Sequence, residues 1–352
     1  MRRSVKLEAV HHTFVSVFFW LCLIGFGFML STAIAVFKGY SLSPLVIFFK
    51  HSGYVVRLIW LVILSYQVLY FVLKATRVCW LKGIDGVADM ALNINALKRV
   101  ILQSLLTFVL IFLFLAYQTS FKTVFNESLT AYNLNDWMLY TIDQQIGLQQ
   151  VGLVFLYKAN QDVVFYFIRA LDAFYMPSFA MQWMLLFYII FNDPVWQRKN
   201  TFVACFLLIW IIGTMLGGIC QSGGPFFFGV ASRNLLLMDK LDQINQAHAL
   251  TSVFTQGVLW NNYFNDSLTV GHGISAFPSL HVAMSLFVFL YAYERRCCQW
   301  LALGSLVLTW LASALLGWHY WVDGIGAVLI VMLSYRLAVW LVSFFHLCND
   351  GI

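Results

Sequence analysis

Charge is what this chain has least of. Lys, Arg, Asp and Glu together make up only 10% of its residues, where soluble domains carry roughly a quarter. Hydrophobic residues make up 61%. That imbalance excludes a soluble globular domain. The formal charge of +6 is scattered along the chain and is not gathered into a patch, so nucleic acid is not an expected partner. There is no Cys-x-x-Cys pair. The seven cysteines are odd in number and irregular in spacing, which excludes a disulfide framework and a zinc site. Cys22, Cys205 and Cys220 sit in or at the end of apolar runs, and Cys297-Cys298 in a basic turn. They read as small apolar fillers. Internal repeats and low-complexity segments are also missing.

What is present is a series of long apolar runs. Runs of about 18 or more apolar residues can cross a bilayer core. About eight are found, near 13–36, 54–73, 100–117, 174–191, 201–219, 278–293, 301–318 and 324–345. The expected fold is an all-α polytopic transmembrane bundle. Ala33-Ile34-Ala35 resembles a signal cleavage site, but the run before it is longer than a signal core, so it is read as a retained span. Three regions follow: spans one to three in 1–117, an outer-face amphipathic region in 118–173, and a core in 174–352. In the middle region Leu134, Trp137, Met138, Ile142, Ile146 and Leu153 recur at the spacing of a helix lying on a membrane surface. Asp136 and Asp143, seven apart on it, read as its solvated face, or else as groups that close a site or bind a polyol.

Positive charge orients the bundle. With the N-terminus inside, the inner segments hold Arg2, Arg3 and Lys6, the cluster from Lys74 to Arg99, Arg198 and Lys199, and Arg295 and Arg296. Both termini are then cytoplasmic. The polar stretch 220–273, the start of span six and the end of span seven share the periplasmic or lumenal face. Asn126-Glu127-Ser128 and Asn265-Asp266-Ser267 are glycosylation sequons on that face. The thirteen tryptophans and sixteen tyrosines suit interface belts.

Two polar knots stand out there. The first is Ser275-Ala-Phe-Pro-Ser-Leu-His281. Pro278 suits the first turn of a helix, and Ser275 can cap it. The unbonded N–H groups of that turn form an anion site, to which Ser279 and His281 add donors. The plain alternative is a helix start with His281 reaching back to the interface. The second knot is His319-Tyr-Trp-Val-Asp323. Residues four apart share a helical face. A carboxylate bonded to one ring nitrogen fixes the tautomer and leaves the other as nucleophile or base. The plain alternative is a hydrogen bond that orders a helix end. Together the knots supply the parts for phosphoryl transfer. One histidine attacks phosphorus, the other protonates the leaving oxygen, and the anion site holds charge. No metal or cofactor is called for.

These knots resemble the second and third motifs of the type 2 phosphatidic acid phosphatase superfamily. The usual Pro-Ser-Gly-His is here Pro278-Ser279-Leu280-His281, and the usual His-x-x-x-Asp is His319 and Asp323. The form Phe-Pro-Ser-Leu-His is closer to the branch that holds inositol phosphorylceramide synthases. The resemblance covers about 174–345 and implies a six-helix phosphatase-like core. It implies His319 as the nucleophile of a phosphohistidine, Asp323 as its orienting group and His281 as general acid. Ser279 and the N–H groups near it would contact phosphate. The sequence departs from the family in two places. Ser313 stands where the third motif carries arginine, and the first motif, Lys-x6-Arg-Pro, is missing. Its place holds Gln221-Ser-Gly-Gly-Pro-Phe-Phe-Phe228 and then Arg233. Arg233, with His272 second, is the candidate substitute for the phosphate clamp. The expected substrate is a membrane lipid, with a polyol or ceramide as possible acceptor. The rival class is a noncatalytic transporter or scaffold. A transporter wants polar groups in mid-membrane, and here the polar groups sit at span ends.

Overall fold

The computed structural model describes residues 2–37, 94–126, 134–147, 161–232, 250–264 and 274–349, with scattered positions elsewhere, mostly between 53 and 80. All regular structure among the described residues is helical. The helices are α1 (Arg2–Phe37), α2 (Ile94–Asn126), α3 (Leu134–Ile146), α4 (Gln161–Asn192), α5 (Trp196–Cys220), α6 (Pro225–Ser232), α7 (Thr251–Phe264), α8 (Leu280–Glu294), α9 (Gln299–Leu315) and α10 (Trp321–Asn349). In lipid a helix satisfies its own backbone, which is why uninterrupted apolar runs take this form.

Each expected span has an apolar helix in its place. Four are long and apolar enough to cross a membrane: Val15–Phe37, Asp162–Asn192, Trp196–Phe228 and Trp321–Phe345. Shorter apolar helices, Ile59–Val68, Ser104–Gln118, Leu280–Glu294 and Gln299–Leu315, stand at the other four. Several helices run past the boundaries read from the sequence: α2 continues to Asn126, into the stretch assigned to the outer-face region, and the largest difference is at the fourth span. The fourth span does not begin near residue 174. Its helix begins at Gln161, and its N-terminal half carries the cap for another helix, described below. At about 1.5 Å per residue, α4 reaches about 48 Å, well beyond a hydrocarbon core of about 30 Å.

The centre of the bundle is α5. It is apolar on every side, and a helix of that kind belongs inside. All residues from Thr201 to Ile209 are buried. Around it pack α10, α1, α2, α4 and α8. Phe202 meets Phe287 of α8 at 5.8 Å between ring centroids and Tyr335 of α10 at 5.8 Å. Phe206 meets Phe287 of α8, Trp183 of α4 and Phe114 of α2. These contacts fix the relative heights of α4, α8 and α10, and hence the heights of the residues at their ends.

Candidate active site

Three chain segments meet at one end of the bundle: the turn after α5, the approach to α8, and the turn between α9 and α10. Backbone hydrogen bonds tie them together. Ala276 N–H donates to the Ser222 carbonyl at 2.8 Å, Ser279 N–H to the Asp323 carbonyl at 3.2 Å, and Phe226 N–H to the Gly317 carbonyl at 3.0 Å. Ser222 adds its hydroxyl, which accepts from Phe277 N–H at 2.9 Å. Glycine is required at one point. Gly224 has φ +90°, and a Cβ there would strike the Trp318 carbonyl. The two sequence knots and the Gln221–Phe228 stretch therefore form one structure.

The start of α8 differs in detail from the expected one. Its N-cap is Ser279, whose hydroxyl accepts from Val282 N–H at 3.4 Å. Ser275 is not the cap. It lies three residues before Pro278 and packs against Gly217 of α5, where a Cβ would come within 2.6 Å of its Oγ. The reason is that the chain is still extended at Ser279 and turns helical only at Leu280. The N–H groups of Leu280 and His281 lie ahead of the helix's own bonding, as the first turn of any helix leaves them.

His319 is held at both ends of its residue. Its backbone N–H donates to the Ser313 carbonyl at 3.0 Å. Its Nδ1 lies 2.8 Å from the Ala276 carbonyl and 3.5 Å from Asp323 Oδ2. A carbonyl oxygen only accepts, so Nδ1 carries the proton and Nε2 keeps its lone pair. Asp323 was expected to orient the ring directly. Its Oδ2 is farther from Nδ1 than the Ala276 carbonyl is, accepts from Tyr320 N–H at 2.9 Å, and belongs to a residue with no exposed surface. Its charge still favours positive charge on the ring.

His281 faces His319 with ring centroids 6.1 Å apart. It stacks on Tyr175 at 4.6 Å and leans on Phe179 at 4.7 Å, both from α4. Tyr175 in turn stacks on Trp318 at 6.3 Å. The two histidine rings are thus neighbours, one with its Nδ1 bonded and the other at the N-terminal turn of a helix.

A family model of the PAP2 superfamily matches residues 137–337, more than half of the chain. The chain belongs to the PAP2 superfamily. No curated protein and no solved structure matches it. Superfamily members are generally phosphatases, and the apolar helices place this one among the membrane-bound forms. Ser313, read from the resemblance as standing in place of an arginine, is buried and donates its hydroxyl to the Trp310 carbonyl at 2.8 Å. It shapes the turn through its own carbonyl, which receives both Trp318 and His319 N–H. Arg233 and His272 lie outside the described residues.

The expectation of a solvated face for Asp136 and Asp143 is overturned. Both are buried, at 5% and 2% exposure. Asp136 accepts from Gly223 N–H at 2.8 Å, Gly224 N–H at 3.0 Å and the Tyr320 hydroxyl at 3.1 Å. Asp143 accepts from Trp321 N–H at 2.8 Å and Val322 N–H at 2.9 Å, capping the first turn of α10. One short helix therefore clamps the segment after α5 and the segment that carries His319. Burial pushes the Asp136 carboxyl up to about 6, against the pull of the Gly223 and Gly224 amides. Burial likewise pushes Asp143 up to about 6. Asp172 of α4 repeats the device, accepting from Thr251 N–H and Ser252 N–H, both at 2.8 Å, at the start of α7. The sequence signal was there: two aspartates at a spacing of seven share a helical face with each other.

Proposed function

We propose that this protein is a lipid phosphatase or phosphotransferase working through a phosphohistidine. The observation that carries this reading is the His319 ring, whose Nδ1 is tied to the Ala276 carbonyl and whose centroid lies 6.1 Å from that of His281. His319 Nε2 attacks phosphorus, forming an N–P bond as the bond to the leaving oxygen breaks. His281 gives that oxygen its proton. Water or an alcohol then attacks the phosphohistidine, His281 takes its proton, and His319 is restored. Asp323 stabilises the charge that develops on the ring. Ser279 and the first-turn N–H groups of α8 hold the phosphoryl oxygens, and Arg233 and His272 are the candidate clamp. The scheme asks for no metal. The distribution of Lys and Arg favours cytoplasmic termini and a site on the periplasmic or lumenal face.

A second reading, transfer of a head group to an alcohol as in inositol phosphorylceramide synthases, draws on charge. Ser313 replaces a cation, and Asp136 and Asp143 each feel repulsion from Asp323. A monoester dianion adds charge to such a place, whereas a diester carries less.

The test uses purified protein in detergent with a chelator. Lipid phosphates and phospholipids are offered with and without polyol or ceramide acceptors, and free phosphate and lipid products are followed. His319→Ala is expected to lower turnover by at least ~10³-fold, the scale of losing a nucleophile. Phosphate release without acceptor marks the phosphatase, and a new phospholipid made only with acceptor marks the transferase. Turnover that survives in His319→Ala overturns the assignment.

A further inference from the structure

The turn between α8 and α9 carries two adjacent thiols. It is only four residues long, Arg295-Arg296-Cys297-Cys298. Its own backbone closes it. Arg295 N–H donates to the Tyr291 carbonyl at 2.9 Å, Arg296 N–H to the Tyr293 carbonyl at 3.0 Å and Cys297 N–H to the Ala292 carbonyl at 3.0 Å. Cys298 is the N-cap of α9, and its carbonyl accepts from Ala302 N–H at 3.0 Å. All four residues are exposed, and the two Sγ atoms lie 3.5 Å apart.

Neither packing nor backbone geometry explains cysteine at these positions. Cysteine is among the residues most often buried, as Cys205 of α5 is. The expectation that all the cysteines are small apolar fillers fails at Cys297 and Cys298, which are exposed. Cys298 also has φ +55°, and Arg296 φ +51°. That left-handed region suits glycine or asparagine and disfavours other residues with a Cβ. Reactive thiols, by contrast, sit exposed and beside positive charge. Arg295 and Arg296 supply that charge.

The surroundings of the turn point to the reagent. Tyr293 at the end of α8, and Trp300 and Leu301 at the start of α9, are all exposed. Aromatic residues exposed at the ends of apolar helices belong at the membrane interface. Two arginines beside them suit anionic head groups. The thiols therefore stand where a long acyl chain can enter the leaflet as soon as it is attached.

We propose that Cys297 and Cys298 are S-acylation sites, which take long-chain acyl groups from an acyl thioester donor and lay them in the leaflet beside Trp300 and Leu301. The Cys297 thiolate attacks the carbonyl carbon of the donor. The new C–S bond forms as the donor's C–S bond breaks, and the departing thiolate takes up the proton that Cys297 released. Cys298 reacts in the same way in a second step. Contact with Cys297 pushes the Cys298 thiol up, so Cys297 is the first acceptor. The orientation proposed above puts this turn on the cytoplasmic side, where activated acyl thioesters are made. The tether would act on the end of α8 remote from His281.

The test uses the full-length protein, expressed in eukaryotic cells fed an alkyne-tagged long-chain fatty acid. Tag that neutral hydroxylamine releases marks a thioester, and exchanging each thioester for a mass tag counts the sites. Cys297→Ser and Cys298→Ser should each lose one mass tag relative to the parent, and the double variant two. Its thermal midpoint should match the parent, because serine also caps a helix. Absence of label from the parent overturns the proposal, and so does a double variant that keeps every tag. If the double variant does not fold, mass spectrometry of the parent peptide holding both cysteines decides. An acylated peptide supports the proposal, and a peptide found only unmodified or with the two sulfurs joined overturns it. In sealed vesicles with the cytoplasmic face outward, a membrane-impermeant maleimide should reach both thiols once hydroxylamine has freed them. Reaction only after detergent puts the turn on the other face, and overturns the proposal together with the orientation.

Discussion

The two ends of α8 treat a buried aspartate in opposite ways. At the His281 end, Asp136 and Asp143 are met by backbone N–H groups and a tyrosine hydroxyl. At the Tyr291 end, Asp193 is met by the fork of Arg198, with both nitrogens at 2.7 Å, by the Tyr291 hydroxyl at 2.7 Å and by Val195 N–H at 3.0 Å. Burial works against the Asp193 charge, but Arg198 and its other partners outweigh it and hold the carboxyl below its usual range. Burial wins for Asp136 and Asp143, which rise to about 6. A cation makes a closed, neutral staple. N–H groups make a clamp that leaves the charge unneutralised and the backbone fixed. The staple suits an end that only joins helices. The clamp suits an end where turn geometry decides where a histidine points.

Breaking the clamp should have the largest effect. Asp136→Ala orphans the buried Gly224 N–H, the half-buried Gly223 N–H and the Tyr320 hydroxyl, each at roughly 1–3 kcal/mol. The expected loss is about 4 kcal/mol of stability in a thermal or denaturant series, with turnover falling along with it. Should the variant keep both, Asp136 is not a clamp. Arg198→Met comes next. It strands a carboxylate whose side chain has 0% exposure, at a cost of about 3 kcal/mol. Here turnover per folded molecule should stay near the parent value, because the staple is remote from the histidines. Asp143→Ala removes the cap of α10 and should cost about 1–2 kcal/mol, as other cap losses do. Its turnover should fall more than its stability. A rate that tracks stability alone would make Asp143 a plain cap.

The smallest effect is in pH, and it has opposite signs at the two ends. Unfolded aspartates titrate near 4. Asp136 and Asp143 hold their protons to about 6 in the folded chain. Between about pH 4 and 6 the folded state then binds more protons, so their contribution to stability falls as pH rises and levels off above. Asp193 is held low, so its contribution is full above about pH 4 and is lost as pH falls through its folded value. Thermal midpoints measured from pH 3.5 to 8 should show a shallower decline through the upper window in Asp143→Asn than in the parent. Asp193→Asn should lose less than the parent on acidification. An unchanged profile in both would remove the contrast.

The sequence carried the bundle and the knots for a physical reason. Long apolar runs have few options in lipid, and His281, His319 and Asp323 are too polar to be placed there idly. It did not carry the clamp. A short amphipathic helix such as α3 has two faces, and the pattern alone does not say which faces water and which faces protein. Trp137 and Met138 are in fact exposed, at 60% and 51%, while the aspartates point inward. The sequence also missed the Ala276 carbonyl as the nearest partner of His319, because any residue type supplies a carbonyl. Ser279 rather than Ser275 became the cap for a similar reason. Both serines suit the role, and only the path of the chain through Phe277 and Pro278 decides between them.

The two helices that flank the histidine pair are short. α8 has 15 residues and α9 has 17, which at about 1.5 Å each reach about 22 and 26 Å. The hydrocarbon layer around them is about 30 Å deep. Such mismatch is relieved by thinning of the surrounding bilayer or by drawing the loop ends inward. On the functional reading proposed above, either adjustment would put the histidine pair at the height of the lipid head groups. A lipid substrate of the proposed kind would then reach the pair by sideways diffusion within its own leaflet, and a water-soluble acceptor would need only to descend from the rim.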